Sequence, residues 1–258
     1  MPKKKQGSKR SKRAAPSTPP VAFDRRAMEK ATADLTRLLS TREFESIDDM
    51  NAFLQQAMAS GAPLGAPPST PLEQAQDRMY EAWNATGRRR VQLAREALAL
   101  SPDCADAYVL LAEEKAKTPA EARDLLQQGV AAGERALGPE TFEEGAGHFW
   151  GIVETRPYMR AREGLARVLW LLGEQQAALD HFKALLQLNP GDNQGIRYVL
   201  ARRLLETCAD EELGQLLDQY PDDAAATWAY SRALWLFRQR GVTQTAHAAL
   251  QDLSLIHI

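Results

Sequence analysis

Residues 159–190 read M-R-A-R-E-G-L-A-R-V-L-W-L-L-G-E-Q-Q-A-A-L-D-H-F-K-A-L-L-Q-L-N-P. Leu165, Ala166 and Leu169 recur at helical spacing before Gly173, and Ala178, Phe182 and Leu185 do so after it. Gly173 supplies the turn, and Pro190 stops the second helix because it has no N–H to donate and its ring collides with the preceding turn. The run predicts a helical hairpin. Such a hairpin cannot bury its apolar faces alone, so it requires further hairpins stacked against it.

Those further hairpins can be read in both directions. Downstream, apolar spacing predicts helices over 196–205 and 213–220, ending at Pro221, which lies 31 residues after Pro190. An aromatic-rich helix over 224–240 follows, carrying Trp228, Tyr230, Leu234, Trp235 and Phe237; Gly241 stops it, and a partner helix starts at Thr243. Upstream, Met79, Ala82 and Trp83 precede Gly87, and Val91, Ala94, Ala97 and Leu98 run to Pro102. A second pair runs from Tyr108, Leu111 and Ala112 across Thr118-Pro119 to Leu125, Leu126 and Val130. Thr118 suits an N-cap, and a proline in the first helical turn costs no hydrogen bond. Two earlier helices, over 24–39 and 47–58, read as a pair set off by S-G-A-P-L-G-A-P-P-S-T-P at 60–71.

The chain therefore divides into a basic arm (1–23), a helical pair (24–59), a Pro/Gly linker (60–71) and helical repeats (72–252) interrupted at 138–156. The last six residues, L-S-L-I-H-I at 253–258, coincide with one reading frame of a transposon adapter used in sequencing-library preparation. They are read as an adapter-derived scar, and His257 is given no role.

Composition agrees with an all-α fold, since Ala, Leu, Glu, Gln and Arg lose little rotamer freedom in a helix. With 258 residues and 44% hydrophobic content, a sizeable core can be buried, in one elongated domain or two compact ones. No run of about 18 apolar residues occurs, and no apolar segment follows the N-terminal charges, so a cytoplasmic chain with no spanning helix is expected. Cys104 and Cys208 sit in separate helical patterns and are expected to be reduced, buried thiols.

The net charge of −2 conceals an asymmetry. Lys3, Lys4, Lys5, Lys9, Arg10, Lys12 and Arg13 crowd the first 20 residues without an acid, leaving 25 basic against 34 acidic residues in the remainder. The arm has too little apolar surface to offset the entropy of ordering. It suits counterion-release binding to nucleic acid, a nuclear address, or a solubilising tail. No aromatic residue interleaves with its charges, so no base-stacking platform is present.

Reaction chemistry is sparse. The four His (148, 181, 247 and 257) show no metal-ligand spacing, and there is no nucleophile elbow, phosphate loop or dinucleotide fingerprint. Neither an enzyme nor a cofactor is expected. His181 reads as a packing or surface residue, and Asp222 and Asp223 as helix-capping acids.

The interruption is the chemically richest stretch, reading G-A-G-H-F-W-G-I-V-E-T-R-P-Y-M-R-A-R over 145–162. His148, Trp150, Glu154, Arg156, Tyr158 and Arg160 are its candidate partner-binding residues. Arg156, Arg160 and Arg167 recur near helical spacing as a cationic stripe, and guanidinium suits carboxylate or phosphate. Pro157 marks an early helical position capped by Thr155 or Arg156, whose N–H groups offer an anion site. The alternative is structural: Phe149, Trp150, Ile152 and Val153 anchor the loop, Glu163 pairs with Arg167, and Glu154 neutralises Arg156 or Arg160.

Residues 159–190 resemble a tetratricopeptide repeat, with Leu165 and Ala166 in the large and small positions of the first helix. Ala178 takes the close-approach position, Phe182 the packing aromatic and Pro190 the terminator. Leu169 and Leu185 depart from the pattern. The run 147–162, followed by repeats, resembles a group of bacterial tetratricopeptide-like proteins. Leu205, Glu206, Leu216, Leu217, Tyr220, Asp222, Asp223, Tyr230, Ala233 and Leu234 are similar to the helical half of the suppressor of tumorigenicity 7 family. These resemblances imply a right-handed α-solenoid that binds a protein or peptide on its concave face, and they transfer no catalytic residue. A nucleic-acid or ribosome-associated factor tethered by the arm is the competing expectation.

Overall fold

The computed structural model describes residues 25–61, 64–244 and 246–248. The basic arm and residues 253–258 lie outside them. The described residues are all-α: eleven α-helices, two short 3-10 turns and no strand. The helices are α1 (Arg25–Leu39), α2 (Ile47–Ala59), α3 (Pro71–Asn84), α4 (Gly87–Leu100), α5 (Ala105–Lys115), α6 (Pro119–Glu144), α7 (Arg156–Leu171), α8 (Gln175–Leu188), α9 (Ile196–Glu206), α10 (Asp210–Gln219) and α11 (Ala226–Arg240). The chain is helical again at Gln244.

Local chemistry sets the boundaries. Thr70 and Glu73 form a reciprocal capping box at the start of α3, with Pro71 in its first turn. Thr118 caps α6 by accepting from the Glu121 N–H at 3.2 Å, as its position before Pro119 predicts. Gly173 turns the chain between α7 and α8 at φ 83°, a region that a Cβ disfavours. Asp192 fixes the start of α9, its carboxylate accepting from the Ile196 and Arg197 amides at 2.6 and 3.0 Å.

From α3 onward the helices pack as adjacent neighbours, each against the next. The odd helices also touch one another, α3 with α5, α5 with α7, and α9 with α11. One apolar core joins α3, α4 and α5 through Met79, Leu93 and Leu110; a second runs from α5 to α11 through Met159, Phe182, Leu204 and Leu217. Leu125 packs against both. The apolar residues that the spacing of 159–190 places in the hairpin are buried, namely Leu165, Ala166, Leu169, Ala178, Phe182 and Leu185, whereas Tyr230, Leu234 and Phe237 of α11 are exposed. A Cβ on Gly133 would stand 2.8 Å from the Tyr158 Cβ, so this glycine is what lets α6 and α7 approach so closely.

Two features depart from the sequence reading. α1 takes its partners from the repeat body rather than from α2, none of whose residues is buried; Ile47 and Met58 are exposed. Cys104 is buried as expected, and burial pushes its thiol pKa up to about 12. Cys208 is exposed, because it occupies the tight turn between α9 and α10 at φ 56° instead of a helix face.

Candidate functional site

Residues 138–156 are not an open loop. Gly138 adopts φ 70°, ψ 165°, breaks α6 and redirects its last turn, which carries Phe142 onto Phe149 and Tyr158 at ring separations of 5.2 and 5.0 Å. Two 3-10 turns, Phe149–Gly151 and Val153–Thr155, then bury Phe149, Val153 and Thr155. The Gly147 N–H donates to the Leu188 carbonyl at 3.0 Å, tying the segment to α8. The Thr155 hydroxyl turns back to the Phe149 carbonyl and to that of Ile152, the latter at 2.8 Å. Thr155 is the N-cap residue of α7 and is buried, and its hydroxyl is spent on these two carbonyls rather than on an N–H of the helix.

The six candidate residues separate. His148 and Glu154 are exposed, and Trp150 is half-buried. Arg156 donates through Nε to the Trp150 carbonyl at 3.0 Å and lies 5.2 Å from the centre of that ring. Tyr158 is 1% exposed and packed inside, so it cannot serve as a contact on the surface. Arg160 also points inward. Its guanidinium donates to both carboxylate oxygens of Asp106 on α5, from Nε at 2.7 Å and Nη2 at 2.6 Å. Its remaining N–H groups reach both oxygens of Glu29 on α1, from Nη1 at 3.0 Å and Nη2 at 2.9 Å. The expected surface stripe of arginines is thus broken. Arg160 belongs to an interior network, while Arg167 pairs with Glu163 at 2.7 Å on the surface.

This interior network joins four helices and the side chains of six residues, Arg26, Glu29, Gln76, Asp106, Arg156 and Arg160. Asp106 is fully buried and also accepts from Gln76 Nε2 at 2.8 Å, so α3, α5 and α7 all hold it. Glu29 is 5% exposed and has Arg156 Nη1 at 3.6 Å as a third cation after Arg160 and Arg26. The Arg26 guanidinium covers the Trp83 ring at 3.7 Å, and Arg160 approaches that ring at 5.2 Å. Burial by itself would lower the pKa of Arg160, but Asp106 and Glu29 outweigh it and hold the guanidinium above its usual value. Burial, followed by the negative charge of Glu29 and Asp106, pushes the neighbouring Tyr80 phenol well up. Chemically the network recognises carboxylate by charge and fork geometry. Glu154, which was expected to neutralise Arg156 or Arg160, is replaced in that role by Glu29 and Asp106.

The sequence reading missed Glu29, Gln76, Trp83 and Asp106 as site residues. A signal existed for Asp106 alone: it is the only charge in A-D-A-Y-V-L-L-A over 105–112, where a lone acid on an apolar helix demands a partner. His181 has a definite role too. Its Nδ1 accepts from Arg162 Nε at 3.2 Å, and burial together with the Arg162 charge lowers its pKa below the ordinary 6.5. The unfolded chain therefore binds a proton here more readily, so the stabilisation present above pH 6.5 is lost as pH falls through the folded-state value. An NMR titration of the imidazole is expected to place its midpoint below 6.5; a midpoint above that value would contradict the Arg162 contact.

Stacked helical hairpins around a paired interior ion network define an all-α helical-repeat protein. A family profile described as ST7 protein matches residues 47–245, and the chain belongs to that family. Among curated relatives, a suppressor of tumorigenicity 7 protein-like chain of Danio rerio is 31% identical over 160 residues, which is 60% of this chain and 26% of the relative. A Protein ST7 homolog of Caenorhabditis elegans is 45% identical over 60 residues, 23% of this chain and 11% of the relative. A suppressor of tumorigenicity 7 protein-like chain of Homo sapiens is 47% identical over 57 residues, 22% and 10% respectively. The matched region spans a quarter or less of the length of most of these relatives, and at most 26%. No solved structure matches the chain. Among the described residues, no helix is long and apolar enough to cross a membrane.

Proposed function

We propose that this chain is a non-catalytic, protein-binding scaffold of the tetratricopeptide kind, working in the cytoplasm without a cofactor. Its hairpins wind as a right-handed solenoid, and the odd helices α3, α5, α7, α9 and α11 form the concave face. The observation that carries this reading is that a peptide-like element, α1, already packs on α3 and the 153–155 turn and is held to α3 and α7 by side-chain recognition. The 145–162 segment contributes the rim through His148, Glu154, Trp150 and Arg156.

Capture of partners from a native extract by the full-length protein, compared with a His148→Ala, Glu154→Ala double variant, tests the rim. Loss of at least one partner is expected, and an unchanged set refutes the contribution of this segment. Arg160 is unsuitable for such a test because its removal acts through stability.

The charge asymmetry favours a second reading, a nucleic-acid or ribosome-associated factor using Lys3, Lys4, Lys5, Lys9, Arg10, Lys12 and Arg13. RNA binding that weakens steeply with salt and vanishes when residues 1–20 are deleted would select it over the protein-binding scaffold.

A further inference from the structure

The Arg160 network divides into a receptor and a guest. Asp106 engages the Nε edge of the Arg160 guanidinium with both oxygens, and Gln76 holds Asp106 in turn. These three residues belong to α7, α5 and α3, so the repeat body fixes Arg160 by itself. The outer edge of the same guanidinium, together with Arg156, is left to receive a second carboxylate. Without Glu29 the receptor holds two arginines against one aspartate, a net positive charge; with α1 seated, only 11% of the Arg160 side chain and 18% of that of Arg156 are exposed. An acidic guest is the natural complement.

The guest seated there buries little of itself. Only Glu29 and Ala33 of the fifteen residues of α1 are buried. Its other anchors are polar: Arg26 on Trp83, Lys30 and Arg37 to Asp77, Arg37 to the Ala66 carbonyl, and the Ala66 N–H to the Asp34 carbonyl. Beneath Ala33, one turn beyond Glu29, lies a cavity of about 110 Å³, walled by Leu72, Tyr80, Val153 and Tyr158. Alanine leaves that space unfilled. The receptor residues Gln76, Trp83, Asp106, Arg156 and Arg160 all fall inside the region matched by the ST7 profile, whereas α1 lies outside it.

We propose that the face formed by Trp83, Asp106, Arg156 and Arg160 is a docking site for an acidic amphipathic helix of a protein partner. The partner helix presents a glutamate and, four residues later, an apolar residue larger than alanine. α1 occupies this site in cis as a low-affinity surrogate, Glu29 filling the carboxylate position and Ala33 only part of the apolar one. A partner gains over α1 by filling the cavity, and it must overcome the high effective concentration of a tethered competitor. Its apparent affinity is reduced by the fraction of time the face is free. This inference rests on the reading of the odd-helix face as the binding face.

The test uses the full-length chain and a labelled synthetic peptide of residues 25–39 carrying Ala33→Leu. The peptide is expected to bind a full-length Glu29→Gln variant at least about tenfold more tightly than the unaltered chain, because the variant's own latch is weakened. Placing Glu29→Gln in the peptide as well should abolish that binding. Equal affinity for both chains, indifference to the peptide's glutamate, or no binding to either chain overturns the proposal. Hydrogen exchange on the unaltered chain is an independent check that needs no variant to fold. The α1 amides are expected to exchange by local opening, well ahead of those of α7, and exchange of both at one global rate would also overturn it. Partner capture that depends on His148 and Glu154 while the peptide fails would sink the helix receptor and leave the scaffold standing.

Discussion

Asp106→Ala is expected to destabilise the folded chain by about 3–5 kcal/mol, because it strips a largely buried guanidinium of the carboxylate that holds its Nε edge. Asp106 is fully buried, so no water replaces it, and the alanine leaves the Gln76 amide without its acceptor as well. Glu29 remains on the outer edge of Arg160, but it comes from a helix with only two buried residues and cannot substitute for a rigid partner on α5. Replacing the pair together, Asp106→Leu with Arg160→Met, should recover most of the loss, since two well-packed apolar side chains avoid the desolvation that the ion pair must offset. Urea unfolding of the three proteins would check this. A single variant as stable as the parent would show that Arg160 reaches solvent, and with that the receptor argument would fail. Glu29→Ala should cost clearly less, for it releases one peripheral helix and leaves the Asp106–Arg160 pair in place.

The repeat body was legible because its signals are local and periodic. Gly173, Pro190 and Pro221 punctuate it, and the small residues Ala166 and Ala178 mark where helices touch; all of this is written within windows of a few turns. The site was not legible for the opposite reason. Glu29 and Arg160 are separated by 131 positions, and Asp106 and Arg160 by 54, so their meeting depends on how hairpins stack and on where α1 lands. Periodicity says that α1 has an apolar stripe, not which surface receives it. Residue type pointed to the right neighbourhood but the wrong direction. Arg156, Tyr158 and Arg160 drew attention as an exposed cluster, whereas the backbone turns at Gly138 and Thr155 aim the latter two inward. An arginine beside aromatics has the same sequence signature in either orientation, and only the partner carboxylates distinguish them.

The second large effect lies at the other end of the stack. Trp228→Ala is expected to cost about 3–5 kcal/mol, the range for removing a large aromatic from a closed core. Trp228 is 1% exposed and meets Tyr198 and Tyr220 edge-on, with ring centres 5.9 Å apart in each pair. Its indole N–H donates to the Tyr220 carbonyl at 3.0 Å, so truncation removes that bond along with the packing. Arg197 stacks against both tyrosines, at 4.4 and 5.1 Å, and binds Asp192 and Asp223, which makes the tryptophan the apolar centre of a polar clamp joining α9 to α11. Loss of the ring should therefore loosen α11 before α7 or α8. Hydrogen exchange of the variant would show this as lost protection over 226–240 with α8 little changed. A uniform loss across the stack would instead mean that the hairpins unfold as one unit, and α11 could not then be a separately opening element.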